Sequence, residues 1–301
     1  RAGLFKDVDT VLHWHPSDRN SANAETSLAN KSARFKFKGV SSHAAAAPER
    51  GRSALDGVEA MNYMVNMMRE HVPQETRIHY VITRGGEAPN VVPDFAEVYY
   101  YVRHPQAEKL QQLWKRVIDI SSAAALGTGT DVEVEVMHGN HSLLPNEKLA
   151  RQMHANLTRV GGIRYNAAEQ AFAEEISGSL GVGNFIGLEK EILRFELRQG
   201  MGSTDVGDVS WVVPTVGLRT STWVPGTAPH SWQAIAAGGT SIGTKGMRVA
   251  AKALSLTARD LLLDPALIEA GRREFDRRRG ENFHYEALLG DRKPPLDYRV
   301  K

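Results

Sequence analysis

The sequence predicts an α/β protein: a mixed α/β domain interrupted by a complete ferredoxin-like α+β domain. Three observations predict it. Between residues 29 and 139 the hydrophobic periodicity runs strand, helix, strand, strand, helix, strand. On either side of that stretch lie a short strand, a second strand and long helical patterns. The chain has 301 residues, 42% of them hydrophobic, which suits about two domains with sizeable cores.

The inserted domain reads in order. From Ser32 to Lys38, Ala33, Phe35 and Phe37 alternate with Arg34, Lys36 and Lys38, the pattern of a half-buried strand. Ser53 followed by Asp56 is a capping-box pattern that opens a helix. Ala54, Val58, Met61, Val65, Met68 and Val72 recur along one face of it, and Pro73 stops it. Strands follow over Arg77 to Thr83 and Phe95 to Arg103. Pro105 suits the first turn of a helix striped by Leu110, Leu113, Val117, Ile120 and Ala124. Asp131 to Met137 alternates again as the fourth strand.

The rest reads as mixed α/β. A strand from Val8 to Trp14 comes first, and after the insertion come a helix from Asn146 to Val160 and a strand from Thr215 to Trp223. A helix from Thr240 to Leu263 is expected to bury Met247, Ala251, Leu254, Ala258 and Leu261. A polar helix runs from Pro265 to Arg279. The expected division is 1–28 and 140–301 for the α/β domain and 29–139 for the insertion.

Composition narrows the function. With 37 basic and 35 acidic residues the net charge is +2, which gives no electrostatic case for nucleic acid. Tyr99, Tyr101 and Arg103 share a strand face, an aromatic and basic hint that ranks last without a basic excess. There is no cysteine, so disulfides, iron–sulfur clusters and a thiol nucleophile are excluded within this chain, as fits a cytoplasmic protein. No apolar run approaches the roughly 18 residues that span a bilayer. The chain starts at Arg1 and enters an apolar strand almost at once, which reads as an interior point of a longer protein.

Two histidines stand out by position. His15 ends a strand in Leu12-His13-Trp14-His15-Pro16, and His230 lies in a turn after one. Sites in open α/β sheets gather beyond the carboxyl ends of strands, and neutral imidazole is the commonest metal-ligand side chain. Two exposed loop histidines are the competing reading. Two imidazoles alone cannot hold a catalytic metal, which needs about three protein ligands and a water. Asp205 and Asp208 are candidate carboxylates for orienting such histidines; a helix cap followed by a first-turn acid explains them equally well. His43, among small residues, has room to donate a hydrogen bond to a ligand; Asn90 sits on a rigid loop and Arg103 ends a strand. Each is as readily structural.

These segments together resemble the aminoacylase and glutamate-carboxypeptidase family of co-catalytic metallopeptidases. The matching runs are Asp7-Val8-Asp9-Thr10-Val11-Leu12 leading to Trp14-His15-Pro16, Phe37-Lys38-Gly39 leading to His43, and Gly51-Arg52-Ser53-Ala54-Leu55-Asp56. Pro89-Asn90-Val91-Val92, Ser203-Thr204-Asp205-Val206-Gly207-Asp208-Val209-Ser210-Trp211 and Gly226-Thr227 through His230-Ser231-Trp232 complete them. The resemblance implies a catalytic zinc-peptidase-like domain, incomplete here, with two divalent metals (zinc or manganese), and an inserted dimerisation and lid domain forming a homodimer. It implies metal binding by His15 and His230. His43 would act as a catalytic donor to the substrate carbonyl in the partner's site, and Asn90 and, weakly, Arg103 would bind substrate. The implied reaction is hydrolysis of an N-acyl amino acid, in the branch it most resembles p-aminobenzoyl-glutamate or a related folate breakdown product, with a second subunit possible. The family's first metal motif and its general-base Glu-Glu pair have no counterpart here, so this chain alone is expected to be inactive. The alternative is a non-catalytic dimerising or binding protein of the same fold without a complete metal site.

Overall fold

The computed structural model describes residues 3–291. In chain order its strands and helices are β1 (Val11–Ser17), β2 (Ala24–Thr26), β3 (Ala29–Lys38), α1 (Ala54–Met68), β4 (Arg77–Arg84), β5 (Phe95–His104), α2 (Ala107–Thr128) and β6 (Asp131–Asn140). They continue with α3 (Glu147–Val160), α4 (Ala167–Gly178), β7 (Leu197–Gln199), α5 (Val206–Ser210), β8 (Thr215–Ser221), α6 (Trp232–Gly238), α7 (Ser241–Leu263) and α8 (Pro265–Arg279). The chain divides into two compact units. One holds the residues up to Thr26, Leu144–Gly200 and Val209–His284; the other holds Ser27–Leu143, Met201–Asp208 and the residues from Tyr285 on. Beyond Ser27–Leu143, the inserted unit takes in the segment from Tyr285 and Met201–Asp208, whose Gly202 carbonyl accepts from the Leu28 amide at 2.8 Å.

The inserted unit is an antiparallel sheet in the order β4-β5-β3-β6, the ferredoxin-like arrangement. Alternation along β3 and β5 puts Ala33, Phe35, Phe37, Val98, Tyr100 and Val102 into one core with Val58, Met61 and Val65 of α1 and Leu110, Leu113 and Val117 of α2. Each fully buried large side chain contributes about 1.5–3 kcal/mol. Tyr100 is fixed inside by an edge-on contact with Phe35 (5.7 Å) and by donating its hydroxyl to Asn62 Oδ1 (2.5 Å). Ser53 caps α1, accepting from the Asp56 amide at 3.1 Å, as its spacing predicts. Pro105 lies ahead of α2 rather than in its first turn, because the β5 ladder continues to His104 opposite Ala29 and Gln106 becomes the cap.

In the other unit β1 and β8 pair in parallel, Val11 opposite Thr215 through Ser17 opposite Ser221. Helices α3 and α7 pack on this pair, and Leu149, Met153, Leu157, Val216, Leu218, Ile242 and Ala253 form the core. Of the positions expected to be buried on α7, Leu261 is buried and Leu254 packs against the core, but Met247 and Ala251 are not buried. Met247 is 48% exposed and Ala251 is exposed, while Gly246, Val249, Ala250, Ala253 and Thr257 are buried. Close approach decides part of this: a Cβ on Gly246 would lie 2.2 Å from the Ser221 carbonyl oxygen, so small residues alternate with Ile242, Val249 and Leu261 on the buried face. The short β2, β7, α5 and α6 leave too few residues for a period to show in sequence. Among the described residues no helix is long and apolar enough to cross a membrane.

The start of α3 is held by a buried carboxylate. Glu274 accepts from the amides of Glu147 (3.0 Å) and Lys148 (2.8 Å) and pairs with Arg278 (2.7 Å). Burial opposes its ionisation, but these donors outweigh it and hold its pKa below the ordinary glutamate value. Glu274→Ala should therefore cost about 3 kcal/mol in denaturant unfolding. The folded pKa is lowered, so the advantage over Glu274→Gln is full above the ordinary glutamate value and should vanish as pH falls through the folded one.

Candidate functional site

His15 sits near the carboxyl end of β1, exposed, with Nδ1 2.6 Å from the Pro16 carbonyl oxygen. A carbonyl only accepts, so Nδ1 carries the proton and Nε2 of the neutral ring keeps its lone pair. That tautomer can bind a metal through Nε2. His13, two residues earlier, lies opposite Gly217, where any Cβ would meet its ring at 2.2–2.8 Å. Burial, then the charge of Arg219 and His15, depresses the His13 pKa to about 4, so this ring is neutral beside its neighbour.

His230 follows β8 and directly precedes α6, whose cap Ser231 accepts from the Ala234 amide (3.2 Å). It is the non-glycine residue with positive φ among the described residues, at 62°, a conformation that costs a β-carbon-bearing residue energy. The loop that carries it is tied to the end of β1: Thr222 N donates to the Ser17 carbonyl (2.8 Å) and Gly226 N to Asp18 Oδ2 (3.0 Å). His15 thus lies near the carboxyl end of β1, and His230 lies in the loop that follows the neighbouring parallel strand β8. Neutral imidazoles there fit a divalent cation in donor chemistry. They are part of a ligand set only, since the described residues include no group of three or more His, Cys, Asp or Glu placed to hold one.

In the inserted unit His43 and Asn90 are brought together. A bridge joins His43 to Val91, Ala44 N donates to the Asn90 carbonyl (3.0 Å), and Val92 N donates to the Ser42 carbonyl (3.0 Å). His43 Nδ1 accepts from the amides of Ala45 (3.2 Å) and Ala46 (3.1 Å). Its neutral ring therefore carries the proton on Nε2, the opposite tautomer to His15, and offers a donor. These loops flank the end of the sheet where Lys38 meets Phe95. Arg103 lies eight residues further along β5, about 27 Å away at strand rise. That is the end at which the chain enters and leaves the unit.

Asp205 and Asp208 flank the start of α5. Asp205 is exposed just before it, and Asp208, in its first turn, accepts from the His141 amide (3.2 Å) and from the Tyr285 hydroxyl. Burial raises the Asp208 pKa. The engagement seen for Asp208 is with His141 and Tyr285, while the Val206 amide at the start of α5 donates to the Thr204 hydroxyl. Sequence reasoning did not single out Arg77, which the register sets opposite Arg103; pairing between strands carries that signal, and no single-strand pattern contains it.

The fold is a mixed α/β unit with an inserted ferredoxin-like unit. Residues 29–128 match the Peptidase dimerisation domain family. Over 91% of its length the chain is 36% identical to one of the subunits of p-aminobenzoyl-glutamate hydrolase from Escherichia coli, of which it covers 63%. It is 33% identical to Xaa-Arg dipeptidase of Mus musculus, again over 91% of this chain and 57% of that one. A crystal structure of an aminobenzoyl-glutamate utilization protein from Klebsiella pneumoniae superposes with a TM-score of 0.55 at 16% identity, covering 85% of this chain and 56% of that one. The resemblance read from the motifs thus holds along most of the chain, which spans about three fifths of the length of the curated relatives it matches.

The strain at His230 is measurable. His230→Gly should raise the unfolding free energy of the metal-free protein by about 1 kcal/mol, because glycine adopts positive φ freely. A loss of stability in thermal denaturation would show that the backbone there is unstrained.

Proposed function

We propose that the chain is part of a metal-dependent amidohydrolase that cleaves an N-acyl amino acid, with p-aminobenzoyl-glutamate or a related folate breakdown product as substrate. The observation that carries the reading is the opposed pair of tautomers: His15 leaves a lone pair on Nε2, and His43 leaves a proton there. The first is what a metal needs and the second is what a developing oxyanion needs. Similarity to the p-aminobenzoyl-glutamate hydrolase of Escherichia coli supports the substrate class.

In this reading His15 and His230 hold a divalent ion, zinc or manganese, as part of a two-metal site. That ion supplies Lewis-acid polarisation and an activated water. His43 donates from Nε2 to the amide oxygen as the carbon becomes tetrahedral, and Asn90, on the adjoining loop, helps to orient the acyl group. Arg103 binds the carboxylate of the amino-acid part.

His43 and Arg103 lie at opposite ends of one sheet, so they serve one amide bond only if they come from different copies of the chain. The β4 edge is the surface for that pairing. It is unpaired on one side, and its Tyr80, Val81 and Ile82 are 37%, 55% and 41% exposed. Tyr63 and Met67 of α1 are exposed too. Unpaired apolar edges are normally covered, and an isologous pairing of β4 with its copy covers this one. The loop that carries Asn90 leaves β4 directly. Two of the relatives are named as different subunits of p-aminobenzoyl-glutamate hydrolase, which supports a further, non-identical partner chain.

In the complete enzyme, His43→Ala should lower turnover about 10²–10³-fold with metal content intact, whereas His15→Ala should lose metal. Steady-state kinetics with elemental analysis checks both, and unchanged turnover in His43→Ala removes its role. Val81→Glu should shift the protein from dimer to monomer in sedimentation; a persistent dimer places the interface elsewhere.

A further inference from the structure

The β4–β5 register sets Arg77 directly opposite Arg103, and His79 opposite Tyr101 one pair further on. Side chains of a cross-strand pair point to the same face, with Cβ atoms about 5 Å apart. That face is the one the helices leave open, since Ile78, Tyr100 and Val102 of the alternate positions are in the core. Like charges placed directly opposite are destabilising. Elsewhere on this face each base has its acid: Arg34 pairs with Glu97, Lys36 with Glu135 and Lys38 with Glu133. Neither Arg77 nor Arg103 forms an ion pair among the described residues.

Both guanidinium groups are held in place. Arg103 lies over the Tyr101 ring at 5.3 Å, and the Tyr101 hydroxyl accepts from Tyr99 at 3.2 Å. Arg77 Nη1 donates to the carbonyls of Gln74 (2.9 Å) and Thr76 (2.7 Å). Arg103 Nε is buried without an acceptor, a donor left open in a region where buried donors are normally satisfied. Burial, then the charges of Arg103, Arg69 and Arg77, depresses the His79 pKa, so both guanidinium groups act on one neutral imidazole.

We propose that Arg77 and Arg103 together form a two-guanidinium site for a dicarboxylate, Arg103 taking one carboxylate and Arg77 the other. The planar fork of each arginine matches a carboxylate bidentately. Two separately anchored, uncompensated forks suit two carboxylates on one molecule. The inference rests on the function proposed above and deepens it: Arg77 makes the enzyme selective for an acidic amino acid, glutamate or aspartate, on the amine side of the cleaved bond.

The test uses the full-length protein with p-aminobenzoyl-glutamate and p-aminobenzoyl-alanine. Arg77→Gln should lower the preference for the glutamyl substrate, as a ratio of kcat/KM values, by about tenfold or more, through KM rather than kcat. Arg77→Lys, which keeps charge without the fork, should restore part of it. A second arm is calorimetric titration of the metal-free protein with glutarate, acetate and inorganic phosphate. Glutarate should bind more tightly than either of the others and lose that advantage in Arg77→Gln. This arm supports the site even if neither amide is cleaved, in which case it is the proposed reaction that fails. The site is overturned if phosphate binds as tightly as glutarate, or if Arg77→Gln lowers the melting temperature while the substrate preference and glutarate affinity stay unchanged. That last result would leave Arg77 as a brace for the Gln74–Thr76 turn alone.

Discussion

Backbone groups decide what the two key imidazoles can do. The Pro16 carbonyl takes the proton-bearing Nδ1 of His15, and the Ala45 and Ala46 amides occupy the Nδ1 lone pair of His43. Neither choice of tautomer depends on a distant residue. Each is set by the local chain, a strand running into a proline in one case and a small-residue turn in the other. The roles proposed for the rings depend on these short contacts. A ring free to exchange tautomers would spend part of its time as a donor where a ligand is needed, and part as an acceptor where a donor is needed.

The β1–β8 pair gives the first imidazole its setting. Parallel pairing places both strand ends on one side, and the Ser17–Thr222 and Asp18–Gly226 hydrogen bonds carry that alignment into the loop that ends at His230. Gly217 matters here without touching a ligand. It leaves the space into which the His13 ring lies, so a second imidazole fits beside His15 without displacing β8. Small residues do the same on α7, where Gly246 admits the Ser221 backbone. Close backbone approach is a recurrent device in this unit, and it ranks beside side-chain hydrophobicity in choosing which face of a helix is buried.

That ranking explains where the sequence was readable. Caps and stops are local, so Ser53, Asn146, Thr240 and the Pro265–Arg279 helix were legible to within a residue or two. Strand alternation was legible because β3 and β5 put their large apolar side chains on one face and mostly polar ones on the other. On α7 the apolar stripe finds Leu254 and Leu261 but misses the small residues, Gly246, Ala250 and Ala253, that share the buried face. The positions of His15 and His230 at strand ends were legible from order alone, but the His15 tautomer and the positive φ of His230 required coordinates. Asp208 looked like a carboxylate that serves a histidine. The contact seen is from the His141 backbone amide, which any residue at that position would supply.

The strand that joins the two ends of the inserted sheet also limits how the site can be assembled. A ten-residue β5 is a rigid spacer, paired along its length with β3 and most of its length with β4. Its two ends cannot be brought to one bond by rotating side chains, since an arginine and a histidine together reach well short of about 27 Å. If both ends act in the same reaction, a twofold arrangement follows, in which the His43 end of one copy meets the Arg103 end of the other. The exposed β4 edge is compatible with such a twofold axis, because antiparallel pairing of a strand with its own copy reverses the direction of the sheet. Dimerisation is then a condition for completing the reaction, and the inserted domain contributes chemistry as well as contact area.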